Sequence, residues 1–334
     1  MVKPAPTLDD VAKMAGVSTA TVSRCLNEPG KVIETTRDKV MKAVDALGYT
    51  PNFAARVMAA KRSFTIGAIV PTLDNAIFAK GLQAFQEALH SRGYTLLVSS
   101  SAYKPVVEKE QIRTLVARGA DGLLLIGYER EDQIYTYLAQ QNVPALVAWA
   151  FDANGPVPSV GFDNHAAMYA MATEAIDRGH RRLAMISGAC TGNDRAQRRL
   201  DGVKDAMAAR GLSPDALAVI ETAYTIEAGE AAFARLMART PRATAVICGN
   251  DLLAVGALQT AKSLGLDVPG DVSLTGFDDM ELARIVHPTL TTVAVPHREM
   301  GQTAADELIA MVEGSSPGRS RLLETRLVLR ASLA

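Results

Sequence analysis

Thr19, Ala20, Ser23 and Arg24 fall at i, i+1, i+4 and i+5, so on a helix they share one face. That face is small and polar with a single Arg, which suits insertion into a DNA major groove that an α-helix just fits. A second set of reactive side chains lies far along the chain. Asn250-Asp251 follows the apolar run Ala245–Gly249, and Asp278-Asp279 follows Val272–Gly276, each ahead of a helical stretch. Arg199 sits in the run Arg199-Leu200-Asp201-Gly202. An Arg and an Asp suit a polyol: the guanidinium donates a fork and the carboxylate accepts from two hydroxyls. An acid or Asn at a strand-to-helix turn also serves as a helix N-cap. Both readings stand at this level.

The elements that must hold the first set are three short helices. Thr7 caps a helix whose first turn carries Asp9 and Asp10, and Leu8, Val11, Ala12 and Ala15 make its apolar face. Gly16 stops it, Val17 fills the turn, and Ser18 caps a second helix from Thr19 to Leu26, with Val22 and Leu26 aimed at the first. A Gly-containing turn of three or four residues between two short helices is the helix-turn-helix signature. A third helix is expected from Glu34 to Leu47, with Val40, Val44 and Leu47 inward and Gly48 at its end. Beyond it, Pro51–Lys61 is short, Ala-rich and flanked by charge, a helix marginal in isolation or a plain linker.

From Phe64 the pattern changes. Strand-like apolar runs (Thr65–Val70, Thr95–Ser100, Gly122–Ile126, Ala145–Trp149, then Leu183–Ser187, Ala245–Cys248, Val272–Gly276) alternate with helical stretches. Apolar strands separated by helices indicate parallel sheets covered on both faces. Two such series predict two doubly wound lobes, with a ligand crevice at the strand carboxyl ends. Leu322–Leu329 alternates well enough to be a returning strand.

Charge follows the same division. Residues 1–62 hold ten Lys and Arg against six acids, a net +4; with −1 for the whole chain, the other 272 residues carry −5. A small basic module on an acidic body suits a nucleic-acid reader that carries a separate sensor. No apolar run of about 18 residues is present, and the N-terminus lacks a signal core. Cys25, Cys190 and Cys248 fit neither a metal spacing nor a disulfide framework, so a reducing cytoplasm is the simplest setting and Cys25 reads as core. The chain has no G-x-S-x-G elbow, no Walker loop, no G-x-G-x-x-G after a strand and no metal-spaced His pair. An enzyme is therefore not expected, nor a cofactor. A periplasmic solute-binding protein would fit the body but not the three helices or the missing signal.

Thr7–Leu26 (TLDDVAKMAGVSTATVSRCL) and Leu47-Gly48-Tyr49-Thr50-Pro51-Asn52 resemble the headpiece of the lactose-repressor (LacI/GalR) family, and the similarity runs over essentially the whole chain. The resemblance implies a transcriptional regulator, most simply a repressor, that binds a pseudo-palindromic operator as a homodimer and is released by a small effector; corepression is the alternative. It makes Thr19, Ala20 and Arg24 the base readers. Arg24 would pair with guanine O6/N7, and the Ala20 methyl would meet a thymine methyl. Ser18, Thr21, Ser23 and Asn27 would contact phosphates, and Thr7, Tyr49 and Asn52 complete the DNA-facing set. In Pro51–Lys61 it implies a hinge helix that folds on DNA, with Ala55 at a matched position. Met58 would be the minor-groove wedge where the family usually has Leu.

For the body, the resemblance implies a periplasmic-binding-protein-like fold. The chain would cross between lobes near Phe162-Asp163, near Thr291-Thr292 and near Arg321–Leu327. The expected domains are 1–50 (headpiece), 51–62 (hinge), 63–162 with 292–330 (first lobe) and 163–291 (second lobe). Arg199, Asn250 and Asp278 are then the effector-hydroxyl binders, faced by Asp74, Asn75 and Phe78, with Phe78 as a stacking wall. Trp149 stands where some members place an acid and is either a stacking platform or core. Tyr103-Lys104-Pro105, Gly161-Phe162-Asp163-Asn164 and the Arg195, Arg198, Arg199 cluster look most like gluconate-type members, so extra Arg would suit an effector carboxylate. The chain ends at Ala334 with no heptad tail, so a dimer rather than a tetramer is expected.

Overall fold

The computed structural model describes residues 5–50, 57, 62–74 and 76–334. Met1–Ser63 and Phe64–Ala334 are separate compact units.

The first unit is the expected trio: α1 (Leu8–Ala15), α2 (Thr19–Asn27) and α3 (Glu34–Leu47). Local chemistry sets each boundary. Thr7 and Asp10 cap α1 reciprocally, the Thr7 amide donating to Asp10 Oδ2 at 2.8 Å and the Asp10 amide to Thr7 Oγ1 at 3.3 Å. Gly16 ends α1 at φ 67° and Gly48 ends α3 at φ 62°, in the left-handed region that Gly enters without steric cost. Ser18 Oγ accepts the Thr21 amide and caps α2. The shared core is Val11, Ala12, Val22, Cys25, Val40, Ala43 and Val44, so Cys25 is a packing residue.

The second unit carries strands β1 (Thr65–Val70), β2 (Thr95–Ser100), β3 (Gly122–Ile126), β4 (Ala145–Ala148), β5 (Ser159–Gly161), β6 (Leu183–Gly188), β7 (Ala218–Thr222), β8 (Ala245–Cys248), β9 (Ser273–Thr275), β10 (Thr292–Ala294), β11 (Arg321–Leu322) and β12 (Arg326–Val328). They build one parallel sheet of order β11-β5-β4-β3-β1-β2 and another of order β7-β6-β8-β9. Alternation along single strands shows that the central strands are covered on both faces. In β3, Leu124 and Ile126 join the same core as Phe78 and Phe85, while Leu123 and Leu125 join Ile112 and Leu138 on the other side.

Two expectations are corrected. Thr95–Ser100 is not covered on both faces: it is a sheet edge, with Leu97 39% and Val98 40% exposed. Leu322–Leu329 is not one strand. Residues 321–322 pair parallel with β5, and residues 326–328 pair antiparallel with β10. The chain changes partners between them because Leu323 donates its amide to Gly161 O at 2.7 Å and ends the first pairing. Among the described residues no helix is long and apolar enough to cross a membrane, and no cluster of His, Cys, Asp or Glu is arranged to hold a metal.

Candidate DNA-reading face and effector cleft

On α2, Thr19, Ala20 and Arg24 are exposed, while Val22 and Cys25 turn inward. The polar residues around them bond to one another. Ser18 Oγ and Thr21 Oγ1 lie 2.9 Å apart, and Asn27 Nδ2 donates to Ser23 Oγ at 3.2 Å. Thr7 is exposed and occupied with its cap, and Tyr49 packs partly against the headpiece core. Asn52, Ala55, Met58 and Asn75 lie outside the described residues.

The second set gathers at the carboxyl ends of the strands of both sheets. Asn250 caps the helix Asp251–Ser263, its Oδ1 accepting the Leu253 amide at 3.0 Å, so the capping reading of this residue is correct. The cap uses only the oxygen: Asn250 Nδ2 is buried with no partner. Arg199, from the helix Asp194–Ala209, lies over the Phe277 ring, its guanidinium carbon 3.8 Å from the ring centre. Its Nε donates to Asn164 Oδ1 at 2.8 Å and its Nη1 to Gly249 O at 2.7 Å. Asp278 follows β9 with φ 103°, an uncommon angle for a non-Gly residue. Its side chain is buried and neither carboxylate oxygen has a hydrogen-bond partner. Burial pushes its pKa up to about 8, against a downward pull from Arg199.

Sequence reasoning missed His297, the first residue of the helix His297–Glu313. It is buried, neither ring nitrogen has a partner, and its Nε2 lies 4.0 Å from Asp278 Oδ1. Burial pushes its pKa down to about 4, so the ring is neutral. The available signal was its place three residues after β10, where the chain returns to the first sheet. Trp149 follows β4 at φ 61° and is 2% exposed. It meets Phe78 edge-on at 5.3 Å between ring centres and His297 at 6.4 Å, and a Cβ on Gly81 would collide with its ring. Its Nε1 is a further buried donor without a partner. Trp149 is thus core on its rings, with one polar atom left over. Asp74 is exposed and no hydrogen bond joins it to this cluster, and Arg198 faces solvent.

Across the cleft mouth the two lobes touch. Arg195 Nη1 donates to Ile126 O at 3.0 Å, and Asp194 Oδ2 accepts the Tyr128 amide at 2.8 Å. Gly127, at φ 69°, gives Arg195 its room: a Cβ there would fall on the guanidinium. Tyr103 and Tyr224 face each other at 6.3 Å between ring centres. The space left beside Tyr103, Lys104, Glu129 and Arg195 is about 20 Å³, room for about one water. The lobes are closed on each other at this rim.

The geometry is therefore an exposed helix face on one unit and, on the other, buried polar atoms without partners near the carboxyl ends of the strands. Comparison with known proteins identifies the family. Residues 7–52 match the model for bacterial regulatory proteins of the lacI family, and residues 172–333 match that of a periplasmic binding protein-like domain. The chain is 34% identical over 330 residues to the transcriptional repressor CytR of Escherichia coli, covering 98% of this chain and 96% of CytR. It is 32% identical over 318 residues to the transcriptional regulator GntR of Escherichia coli, covering 95% of each. A lac repressor dimer bound to operator and the anti-inducer ONPF superimposes with a TM-score of 0.87 at 28% identity, covering 99% of both chains. The chain belongs to the lacI family of DNA-binding transcriptional regulators.

Proposed function

We propose that this protein is a ligand-responsive, sequence-specific repressor acting in the cytoplasm. As a homodimer it reads a pseudo-palindromic operator, and it leaves when a small carbohydrate or sugar acid occupies the cleft. The observation that carries the reading is the set of buried, unpartnered polar atoms on Asp278, His297, Trp149 and Asn250, at the carboxyl ends of strands where α/β folds bind ligands. Left unmade, each such bond costs about 1–3 kcal/mol, so a ligand that completes several of them binds one arrangement of the lobes in preference to another. An effector moves the equilibrium between DNA-bound and released forms only by that difference in affinity.

In this reading Thr19, Ala20 and Arg24 read base edges, while Ser18, Thr21, Ser23 and Asn27 hold phosphates. Arg199, Asn250, Asp278 and Trp149 take the effector, Phe78 forms its wall, and Tyr103 and Arg195 close the mouth. Residues 1–50, 51–62, 63–162 with 292–330, and 163–291 act as headpiece, hinge and two lobes. The exposed edge of β2, with Leu97 and Val98, supports self-association, since an open apolar edge is otherwise a liability. The lac repressor, similar over its full length, is a dimer on its operator.

Selection from a random-sequence duplex library with the full chain tests this. An enriched sequence with two-fold symmetry, bound by two chains and released by a sugar or sugar acid, is the expected result. Recovery of no preferred sequence would sink the proposal.

A further inference from the structure

We propose that Arg330 is a positioning residue for the cleft: through Asp279 it holds the turn that carries Asp278, and so sets the direction in which the Asp278 carboxyl points. The inference rests on the sensor reading above and deepens it by naming a residue outside the cleft that builds the site.

Asp278 does not aim itself. Neither of its carboxylate oxygens has a hydrogen-bond partner, so its direction is fixed by the backbone that carries it. That backbone is strained. Asp278 stands at φ 103° and Asp279 at φ 49°, two consecutive non-Gly residues in the left-handed region. Asp enters the αL well more readily than most residues, but φ 103° lies outside that well. Such a pair persists only where its surroundings over-determine it.

Bonds from three sides do so. The Asp278 amide donates to Val293 O at 2.9 Å and the Asp279 amide to Thr292 Oγ1 at 3.4 Å, both on β10. The Met280 amide donates to Asp251 Oδ2 at 2.6 Å, at the start of the helix Asp251–Ser263. The third hold is on the Asp279 side chain: Oδ1 accepts from Arg330 Nη2 at 2.6 Å, and Oδ2 accepts from Arg284 Nη2 at 2.8 Å. These two cations are not equal. The Arg284 side chain is 61% exposed, so water screens its pair; that of Arg330 is 16% exposed. Arg330 is also anchored, its Nη1 donating to Leu290 O at 2.8 Å and its amide to Thr291 Oγ1 at 2.9 Å. One guanidinium thus ties the cleft turn to the chain entering β10 and to the segment leaving β12. Without it, Asp279 keeps a single, exposed partner.

Positioning and simple charge pull Asp278 in opposite directions. Removing the Arg330 cation leaves Asp279 less neutralised beside Asp278, which by itself would raise the Asp278 pKa further above about 8. A turn that relaxes instead brings the carboxyl toward water and lowers its pKa toward 3.8. The charged groups that act on Asp278 and on the facing His297, namely Arg199, Asp251 and Lys80, are the same in both cases.

The test is a pH titration of the full-length protein without effector or DNA, followed by the fluorescence of Trp149. This is the chain's only tryptophan, and its ring lies 6.4 Å from that of His297, whose Nε2 is 4.0 Å from Asp278 Oδ1. The transition that Asp278→Asn removes belongs to Asp278, and in the wild type its midpoint is expected near pH 8. Arg330→Ala should move that midpoint down by about one pH unit or more, and Arg330→Lys should restore most of the shift. Should Arg330→Ala fail to fold, Arg330→Gln, which keeps a donor for Leu290 O, is read in the same way. A midpoint in the variant equal to or above that of the wild type would overturn the inference, and so would a wild type with no transition that depends on Asp278. Either failure leaves the sensor reading intact, because that reading stands or falls on the operator selection.

Discussion

In the headpiece, the polar side chains beside the reading face are exposed and already bonded to one another, Ser18 to Thr21 and Asn27 to Ser23. In the sensor body, Asp278, His297, Trp149 and Asn250 are buried and hold polar atoms with no partner. Waiting costs little at the first site, because water solvates Arg24 and its neighbours until DNA arrives. At the second, each unmade bond is a standing penalty that a bonding partner of matching pattern removes. In the proposed reading, the headpiece serves reversible docking on DNA and the cleft a differential response to a small molecule.

The sharpest way to break this comparison is Arg24→Ala. It should lower affinity for the selected operator about 10- to 100-fold, leaving a weak, salt-sensitive binding to any duplex, with effector affinity unchanged. Fluorescence anisotropy on specific and scrambled duplexes reads both, and equal discrimination in wild type and variant would remove Arg24 from the reading set.

Next in size is a pH effect confined to the cleft. With a folded pKa of about 8 against 3.8 unfolded, Asp278 holds a proton that the unfolded chain lacks, so its contribution to stability falls as pH rises from about 4 to 8. His297, about 4 folded against 6.5 unfolded, works the other way, and its contribution is lost as pH falls from 6.5 to 4. The charged groups facing the pair are Arg199, Asp251 and Lys80. Between pH 6.5 and 8 Asp278 acts without His297 and should remove about 2 kcal/mol. Asp278→Asn should flatten that part of the difference curve in urea unfolding of the ligand-free protein. Parallel curves would mean that the carboxyl is not buried as described.

The smallest effect belongs to the headpiece. Thr7→Ala removes the α1 cap and should cost about 1 kcal/mol, lowering operator affinity through headpiece stability while leaving the melting of the body unchanged. A shift of the body transition by the same amount would contradict the independence of the two units.

The headpiece was legible because its signals are local. Caps at Thr7 and Ser18, stops at Gly16 and Gly48 and a 3.6-residue apolar period fix all three helices within a few residues. The central body strands were legible for a similar reason, as apolar runs between helices. β5 and β10 are three residues each, too short to carry a pattern, and β7 reads Ala-Val-Ile-Glu-Thr, neither apolar throughout nor cleanly alternating. Thr95–Ser100 misled because an edge strand and a buried one share the same composition. In the cleft, Arg199, Asn250 and Asp278 came from the family resemblance. His297 and Phe277 are separated in sequence from most of their neighbours, and only the folded chain brings them together.

The most direct test of the account is the affinity of the full chain for its selected operator, measured with and without a saturating sugar or sugar-acid effector. The account predicts that a bound effector weakens operator binding in the wild type, and that Asp278→Ala binds the operator normally but no longer responds. An operator affinity that is the same with and without bound effector in the wild type would contradict it.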